Sequence, residues 1–255
     1  MRRRQEDQRL LELIRPIKAE QPGWGYRMTW AYLKYRQGHP VNRKRIYRIM
    51  RENDLLVKPN TRLKATRDNQ DNRNKPRATR PNQFWGVDMT KVMIETFGWL
   101  YLVVVLDWYT KKIIGYSVGT RSRAIEWLDA VNMACNQQFP EGILRKDQEL
   151  SLVSDNGSQP TALAFMKACS VMEIKQIFAS YNNPKGNADT ERVIKTIKQD
   201  FVWVNEFDSP LRFTEGLAHW VEKYNTDRPH STLGYKTPCD FEKEQLQLTT
   251  KNLVA

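Results

Sequence analysis

Residues 84–94, 99–109 and 112–118 are three successive runs rich in Val, Ile, Tyr and Trp with short turns between them, and no other feature restricts the fold as much. β-branched and aromatic side chains suit a pleated, half-buried surface, and runs this close together pair most simply as an antiparallel meander. After them the pattern changes. Helix is predicted over 124–135, a short strand over 150–154, and helix again after Pro160 to about residue 170. A strand at 174–179 leads into the stretch YNNPKGNADTERVIKTIKQD, which opens as a loop and continues as a helix. Leu217, Trp220, Val221 and Tyr224 mark one more amphipathic helix. Hairpin-linked strands followed by alternating helix and strand predict an α/β fold, a mixed five-stranded sheet flanked by helices.

The chain before this sheet is different. Leu10, Leu11, Ile14 and Ile17 recur at helical spacing, and Trp24-Gly25-Tyr26 opens a second helical run through Leu33. A turn at Gly38-His39-Pro40 leads to Asn42, a good N-cap for a third helix. On that helix Ile46, Ile49 and Met50 share one face, while Lys44, Arg48 and Arg51 line the other. Two helices, a turn and a basic third helix predict a small all-α helix-turn-helix domain over 1–57. The same charges also suit a solvated face on a small bundle. Residues 58–81 carry Arg62, Lys64, Arg67, Arg73, Lys75, Arg77 and Arg80 among Asn, Asp, Thr and Pro, and are expected to form a basic linker. The expected plan is completed by the α/β core over 82–240 and a C-terminal tail over 241–255.

Forty-one Lys and Arg against 29 Asp and Glu give a net charge of +12, which points to a polyanionic partner, nucleic acid first. The apolar run 99–108 is short for a membrane span and contains Asp107, and Met1-Arg-Arg-Arg leads into Gln-Glu-Asp without a signal-peptide core. Cys135, Cys169 and Cys239 are far apart and form no zinc motif, as expected of free thiols in a reducing compartment. The expectation is a soluble, cytoplasmic protein with no membrane partner.

Three acidic residues stand out. Asp88 sits inside the strand-forming run FWGVDMTKV, where a carboxylate is costly unless paired or bound to a metal. Asp155 follows the strand LSLVS and precedes Asn156-Gly157, at the carboxyl end where α/β sheets usually place sites. Glu191 lies in the first turn of its helix, on a face with Lys195 and Lys198 that borders the apolar stripe of Val193, Ile194, Ile197 and Phe201. Three neighbouring carboxylates would raise one another's pKa, a penalty that a divalent cation removes, and an oxygen-only set favours Mg²⁺ or Mn²⁺. Taken singly, each has a plainer reading. Glu191 with Lys195 suits a surface ion pair, Asp155-Asn-Gly a turn, and Asp88 a partner for a buried cation. Asp107 competes with Asp88 as the in-strand acid, and His219 and His230 suit packing or loop positions better than ligation.

Together the motifs resemble a known family. Thirty-five residues lie between Asp155 and Glu191, the spacing of the DD(35)E transposases and retroviral integrases. SDNGSQ resembles the S-D-x-G-x-Q signature, NPKGNADTERVIKTIK the N-x-x-x-E-x-x-x-x-x-x-K helix, and YNTDRPHSTLGYKTP the Y-N-x-x-R-P-H-x-x-L-G-x-x-T-P ending. The set resembles the IS-three family of bacterial insertion-sequence transposases, specifically the downstream-frame product. Val153 stands where the family often has His, and Pro160 where an aromatic is usual.

The resemblance implies an RNase H-like core in which Asp88, Asp155 and Glu191 bind two divalent ions. It also implies DNA contacts from Lys195 and Lys198, and Arg228 and His230 within the YNTDRPH ending are counted with the DNA-binding residues. The implied activity is metal-dependent cleavage and strand transfer of double-stranded DNA, at element ends and target. The implied first product joins one end to the other on the same strand. A homo-oligomer on DNA is implied, as is a possible upstream-frame partner or fusion carrying a helix-turn-helix and a coiled coil. Two other readings stand beside this one: a DNA-binding repressor or domesticated relic with an idle centre, and a nuclease that cuts without joining.

Overall fold

The computed structural model describes residues 2–57, 77–142, 149–179 and 186–254, so most of the expected basic linker lies outside the described residues. The chain divides into two compact units. One comprises residues 1–72 with 227–237, the other 73–226 with 238–255.

In the first unit α1 (Arg2–Glu20), α2 (Tyr26–Ala31) and α3 (Arg43–Glu52) close around Leu11, Ile14, Ile17, Trp24, Leu33, Ile46, Ile49 and Met50. The helical spacing of those residues sets the packing. Asn42 caps α3 as expected, its side chain accepting the Lys44 N–H at 2.8 Å. α2 runs on as a π-helical turn, Tyr32–Arg36. The segment 227–237, expected within the core, groups with these helices instead. The Tyr32 hydroxyl donates to Asp227 at 2.9 Å, and Arg36 pairs with the same carboxylate at 3.2 Å.

In the second unit β1 (Phe84–Ile94), β2 (Gly98–Asp107), β3 (Ile113–Gly119), β4 (Leu150–Ser154) and β5 (Ile174–Phe178) form one mixed sheet in the order β3-β2-β1-β4-β5. β1, β2 and β3 pair antiparallel as the meander, whereas β4 joins β1, and β5 joins β4, in parallel. Strand parity builds two cores. Trp85, Val87, Val103, Val105, Leu150 and Leu152 face a cluster with Trp127 of α4 (Ala124–Gln138) and Phe165 of α5 (Leu163–Val171). Val92, Ile94, Leu102, Val104 and Val153 face the opposite cluster, with Val193 and Ile197 of α6 (Ala188–Ile197) and Phe213 and Leu217 of α7 (Pro210–Thr226). This is the five-stranded RNase H-like arrangement. Of the expected tail 241–255, residues 241–254 instead continue α8 (Pro238–Val254). Lys112 pairs with Glu242 at 2.6 Å and the Tyr109 hydroxyl bonds Gln245 at 2.9 Å, so side chains of the β2–β3 turn hold that helix.

The contact that matters most for the site is α6 against β1. Gly86 faces α6, and a Cβ there would run into Thr190 Oγ1 and Trp108 Nε1 and come within 2.9 Å of Asn187 Oδ1. The Asn187 amide donates to Val87 O at 3.0 Å, Trp108 Nε1 donates to Thr190 Oγ1 at 3.1 Å, and Lys111 pairs with Asp189 at 3.2 Å. The first turn of α6 is therefore bolted to the sheet from three sides. Gly86→Ala should cost about 1–3 kcal/mol through overpacking and speed amide exchange in that turn. Denaturant titration and hydrogen exchange read both effects, and wild-type values for the variant would contradict the close approach.

Candidate active site

Asp88 lies on the same face of β1 as Gly86, two residues on, and so points toward the α6 side. It is mostly buried, and its carboxylate accepts the Met89 N–H at 2.8 Å. β4 runs parallel to β1 with Val153 beside Gly86. Asp155, just past the strand, follows Val153 by two residues as Asp88 follows Gly86. Asp155 is exposed, and an Asx turn shapes its loop, with the Gly157 N–H donating to Oδ1 at 3.1 Å. Glu191 is exposed in the first turn of α6, the turn fixed over Gly86.

The electrostatics link the three. Burial pushes the Asp88 carboxyl up to about 6; the Met89 N–H opposes this, the charges of Asp155 and Glu191 add to it, and Lys198 opposes it. Asp88 thus feels both other carboxylates and one lysine of the same helical run. Among the described residues no group of three or more His, Cys, Asp or Glu side chains is set to hold a metal ion. The three carboxylates share an electrostatic neighbourhood without forming a finished cage. Their chemistry still fits a hard divalent cation: oxygen donors only, mutually repelling, with the buried member driven toward its neutral form.

Asp107, the competing acid, has a different task. It is fully buried and accepts the N–H groups of Asn82 at 2.8 Å, Tyr109 at 2.7 Å and Thr110 at 3.3 Å. Burial raises it to about 6 against those three donors, and it serves to shape the turn between β2 and β3. The residues that position α6 were not picked out from the sequence. A glycine inside a strand pattern marks close backbone approach, and Gly86, two positions before Asp88, carried that signal.

The residues expected to contact DNA sit in varied surroundings. Lys195 is exposed and Lys198 half-buried. Lys44 and Arg51 are exposed on α3, with Arg51 5.9 Å from the Tyr47 ring. Arg48 is engaged, pairing with Asp7 of α1 at 2.6 Å and with Glu52 at 3.2 Å, while Arg45 beside it pairs with Asp7 at 2.7 Å and Glu6 at 3.1 Å. Arg228 lies 6.0 Å from the Trp24 ring, and His230 Nδ1 is 2.9 Å from Thr232 Oγ1. Among the described residues no helix is long and apolar enough to cross a membrane.

The raised pKa of Asp88 has a thermodynamic sign. The group ionises near 3.8 in the unfolded chain and at about 6 in the fold. Between those values the folded protein holds a proton that the unfolded chain has released. Stability therefore falls as pH rises through this window and levels off above it. The shift corresponds to at most about 3 kcal/mol. Asp88→Asn should melt above wild type near pH 7, and the gap should close as pH falls toward 4. Asp107 titrates in the same window but is common to both proteins and cancels in the comparison.

Comparison with known proteins bears on the fold. Residues 78–184 and 172–238 match two models of an integrase core domain, and residues 5–62 match an HTH-like domain. The chain is 32% identical over 168 residues to the transposase for insertion sequence element IS904 of Lactococcus lactis, covering 66% of this chain and 64% of that protein, just under two thirds of its length. It is 26% identical over 248 residues to transposase InsD for the IS2 insertion element of Escherichia coli, covering 95% and 81%. Among solved structures, a simian T-cell lymphotropic virus intasome matches with a TM-score of 0.55 at 17% identity, over 83% of this chain and 73% of that one. The HTLV-2 integrase catalytic core matches with a TM-score of 0.50 at 17% identity, over 65% and 99%, which shows likeness of fold. Residues of the second unit thus match the integrase core domain, an HTH-like match precedes them, and the chain is homologous to insertion-sequence transposases.

Proposed function

We propose that this chain is a DDE transposase of the IS-three type, which cuts DNA at insertion-sequence ends and joins the freed strands by metal-dependent phosphoryl transfer. The observation that supports it best is the seating of the Glu191-bearing turn of α6 over Gly86, on the face of β1 that carries Asp88. Asp88, Asp155 and Glu191 would hold two Mg²⁺ or Mn²⁺ ions, which supply activation of a water or DNA 3′-hydroxyl and stabilisation of the leaving 3′-oxygen. The HTLV-2 core of similar fold was solved with magnesium. The chain's own side chains do the rest. Asp88, whose carboxyl burial and repulsion push up to about 6, would carry its negative charge at lower cost beside a bound cation. Lys198, close enough to lower the Asp88 pKa, sets a fixed positive charge where a phosphate would enter, and Lys195 extends that line one turn nearer Glu191. No Ser or Tyr nucleophile is invoked, so no covalent protein–DNA intermediate forms.

Double-stranded DNA is the partner, held by Lys44 and Arg51 on α3, by Lys195 and Lys198 beside the carboxylates, and by Arg228 and His230. The active form is an oligomer on DNA, alone or with an upstream-frame helix-turn-helix and coiled-coil segment. The bacterial cytoplasm is where such DNA is met.

Strand transfer on element-end DNA in Mg²⁺ tests the chemistry. Asp155→Asn should reduce joined product on the order of a hundred-fold or more, as loss of several kcal/mol of charge stabilisation requires. A wild-type rate would remove that carboxylate from the mechanism. DNA binding that persists in chelator, with no product in Mg²⁺ or Mn²⁺, would favour a repressor, and nicks without joined strands a nuclease. For the helical unit, Lys44→Ala and Arg51→Ala should each weaken duplex binding and flatten its salt dependence by about one phosphate contact. Arg48→Ala, which breaks the α1–α3 ion pairs, should show first as lost stability in thermal melts.

A further inference from the structure

The N-terminal unit carries an aromatic cluster assembled from two distant parts of the chain. Tyr35, on the π-helical turn after α2, stacks on Tyr235 with ring centroids 5.7 Å apart and planes 11° from parallel. Trp30 meets both rings edge-on, at 5.8 Å and 5.4 Å, and its indole N–H is fixed on Val41 O at 2.8 Å. Lys34 lies 5.3 Å from the Trp30 ring and 5.0 Å from the Tyr35 ring, and Arg43 lies 5.8 Å from Trp30.

Three properties set this cluster apart from core packing. Tyr35 is 46% exposed, and Lys34 and Arg43 are exposed beside it. Among the described residues neither cation is matched by a carboxylate, unlike Arg45 and Arg48 nearby in the same unit. The backbone is unusual on both sides of the stack. Tyr32–Arg36 is π-helical, a form found mostly at functional positions. Tyr235 is held at φ +66°, a left-handed conformation that is costly for a bulky side chain. Packing alone would not require a tyrosine where the backbone prefers glycine.

Unmatched cations set against a stacked ring pair with one exposed member are the chemistry that binds unpaired nucleic acid: phosphates to the cations, a base to the ring face. We propose that Lys34, Tyr35, Arg43 and Tyr235 form a second nucleic-acid contact of this unit, one that stacks an unpaired base at a DNA end. The proposal rests on the DNA-binding reading of the unit and goes beyond the exposed cations of α3.

The test compares the affinity of the full chain for a blunt DNA duplex and for the same duplex with a short single-stranded thymidine tail. Wild type should prefer the tailed duplex by about ten-fold, the worth of one stacked base. Tyr35→Ala should lose that preference and Tyr35→Phe should keep it. Tyr235→Gly should also lose it, with a backbone that accepts the left-handed turn, so its loss would not come from a strained loop. Lys34→Gln should weaken binding to both duplexes and flatten their salt dependence by about one contact. Equal wild-type affinity for the two duplexes would overturn the proposal while leaving DNA binding by the unit in place. Binding to neither would remove the DNA reading and this inference with it. A tail preference that survives Tyr35→Ala, with a changed sedimentation coefficient, would make the cluster a protein interface and overturn the proposal.

Discussion

The seating of α6 on β1 at Gly86 is the contact on which the rest of the site depends. Glu191 is far from Asp88 and Asp155 along the chain, and nothing local holds it near them. A strand position without a side chain lets the first turn of α6 come down to the sheet, where Thr190, Asn187 and Asp189 are each gripped by a different residue. These grips come from β1, from Trp108 and from Lys111, so the turn is fixed in position and in rotation. Glu191 itself needs no internal partner. It stays exposed while its helix is held, as a residue waiting for an external ligand should be.

The cost of this design lies in charge. Asp88 is largely buried, feels the charge of two other carboxylates, and is relieved mainly by one backbone N–H and by Lys198. A protein selected for stability alone would place Asn or Thr there. Asp107 shows what a carboxylate kept for structure looks like in the same sheet: deeper burial, but three N–H donors in a tight turn. The two acids have similarly raised pKa values for different reasons. Asp107 has its hydrogen bonds from the fold, whereas Asp88 has a single one and two repelling neighbours. That asymmetry marks Asp88 as the group whose charge awaits a counter-ion.

Much of the sheet was legible because β-branched runs and their parity are local properties. The boundaries of β1, β4 and the capped start of α3 follow from residues within a few positions. What could not be read were facts settled by distant partners. Asp88 and Asp107 look alike in sequence, since their difference lies in which N–H groups the next turn presents. The basic face of α3 reads as uniform, yet Asp7, on another helix, claims Arg48 from it and Arg45 beside it. α8 lacks a strong apolar stripe and read as a tail; its anchors are Glu242 and Gln245, polar residues paired with the β2–β3 turn. Sequence order alone puts the segment 227–237 with the core, whereas Asp227 against Tyr32 and Arg36, Arg228 against Trp24, and Tyr235 against Trp30 and Tyr35 show where it packs.

Net charge is therefore a poor map of where a polyanion binds. The chain carries +12, but a cation already matched by a carboxylate gains less from a phosphate, because it must first give up its partner. Counterion release drives binding through the unmatched ones. In the N-terminal unit the pairing pattern sorts the cations into two kinds. Arg45 and Arg48 tie α3 to α1, and Arg36 ties the π-helical turn to Asp227. Lys34 and Arg43 meet only aromatic rings among the described residues. A ring face satisfies a cation without neutralising it, so these side chains are held in place with their charge intact. Preorganisation of that kind lowers the entropy lost on binding, and it sets the expected phosphate contacts around Trp30 and Tyr35 as well as along the exposed face of α3.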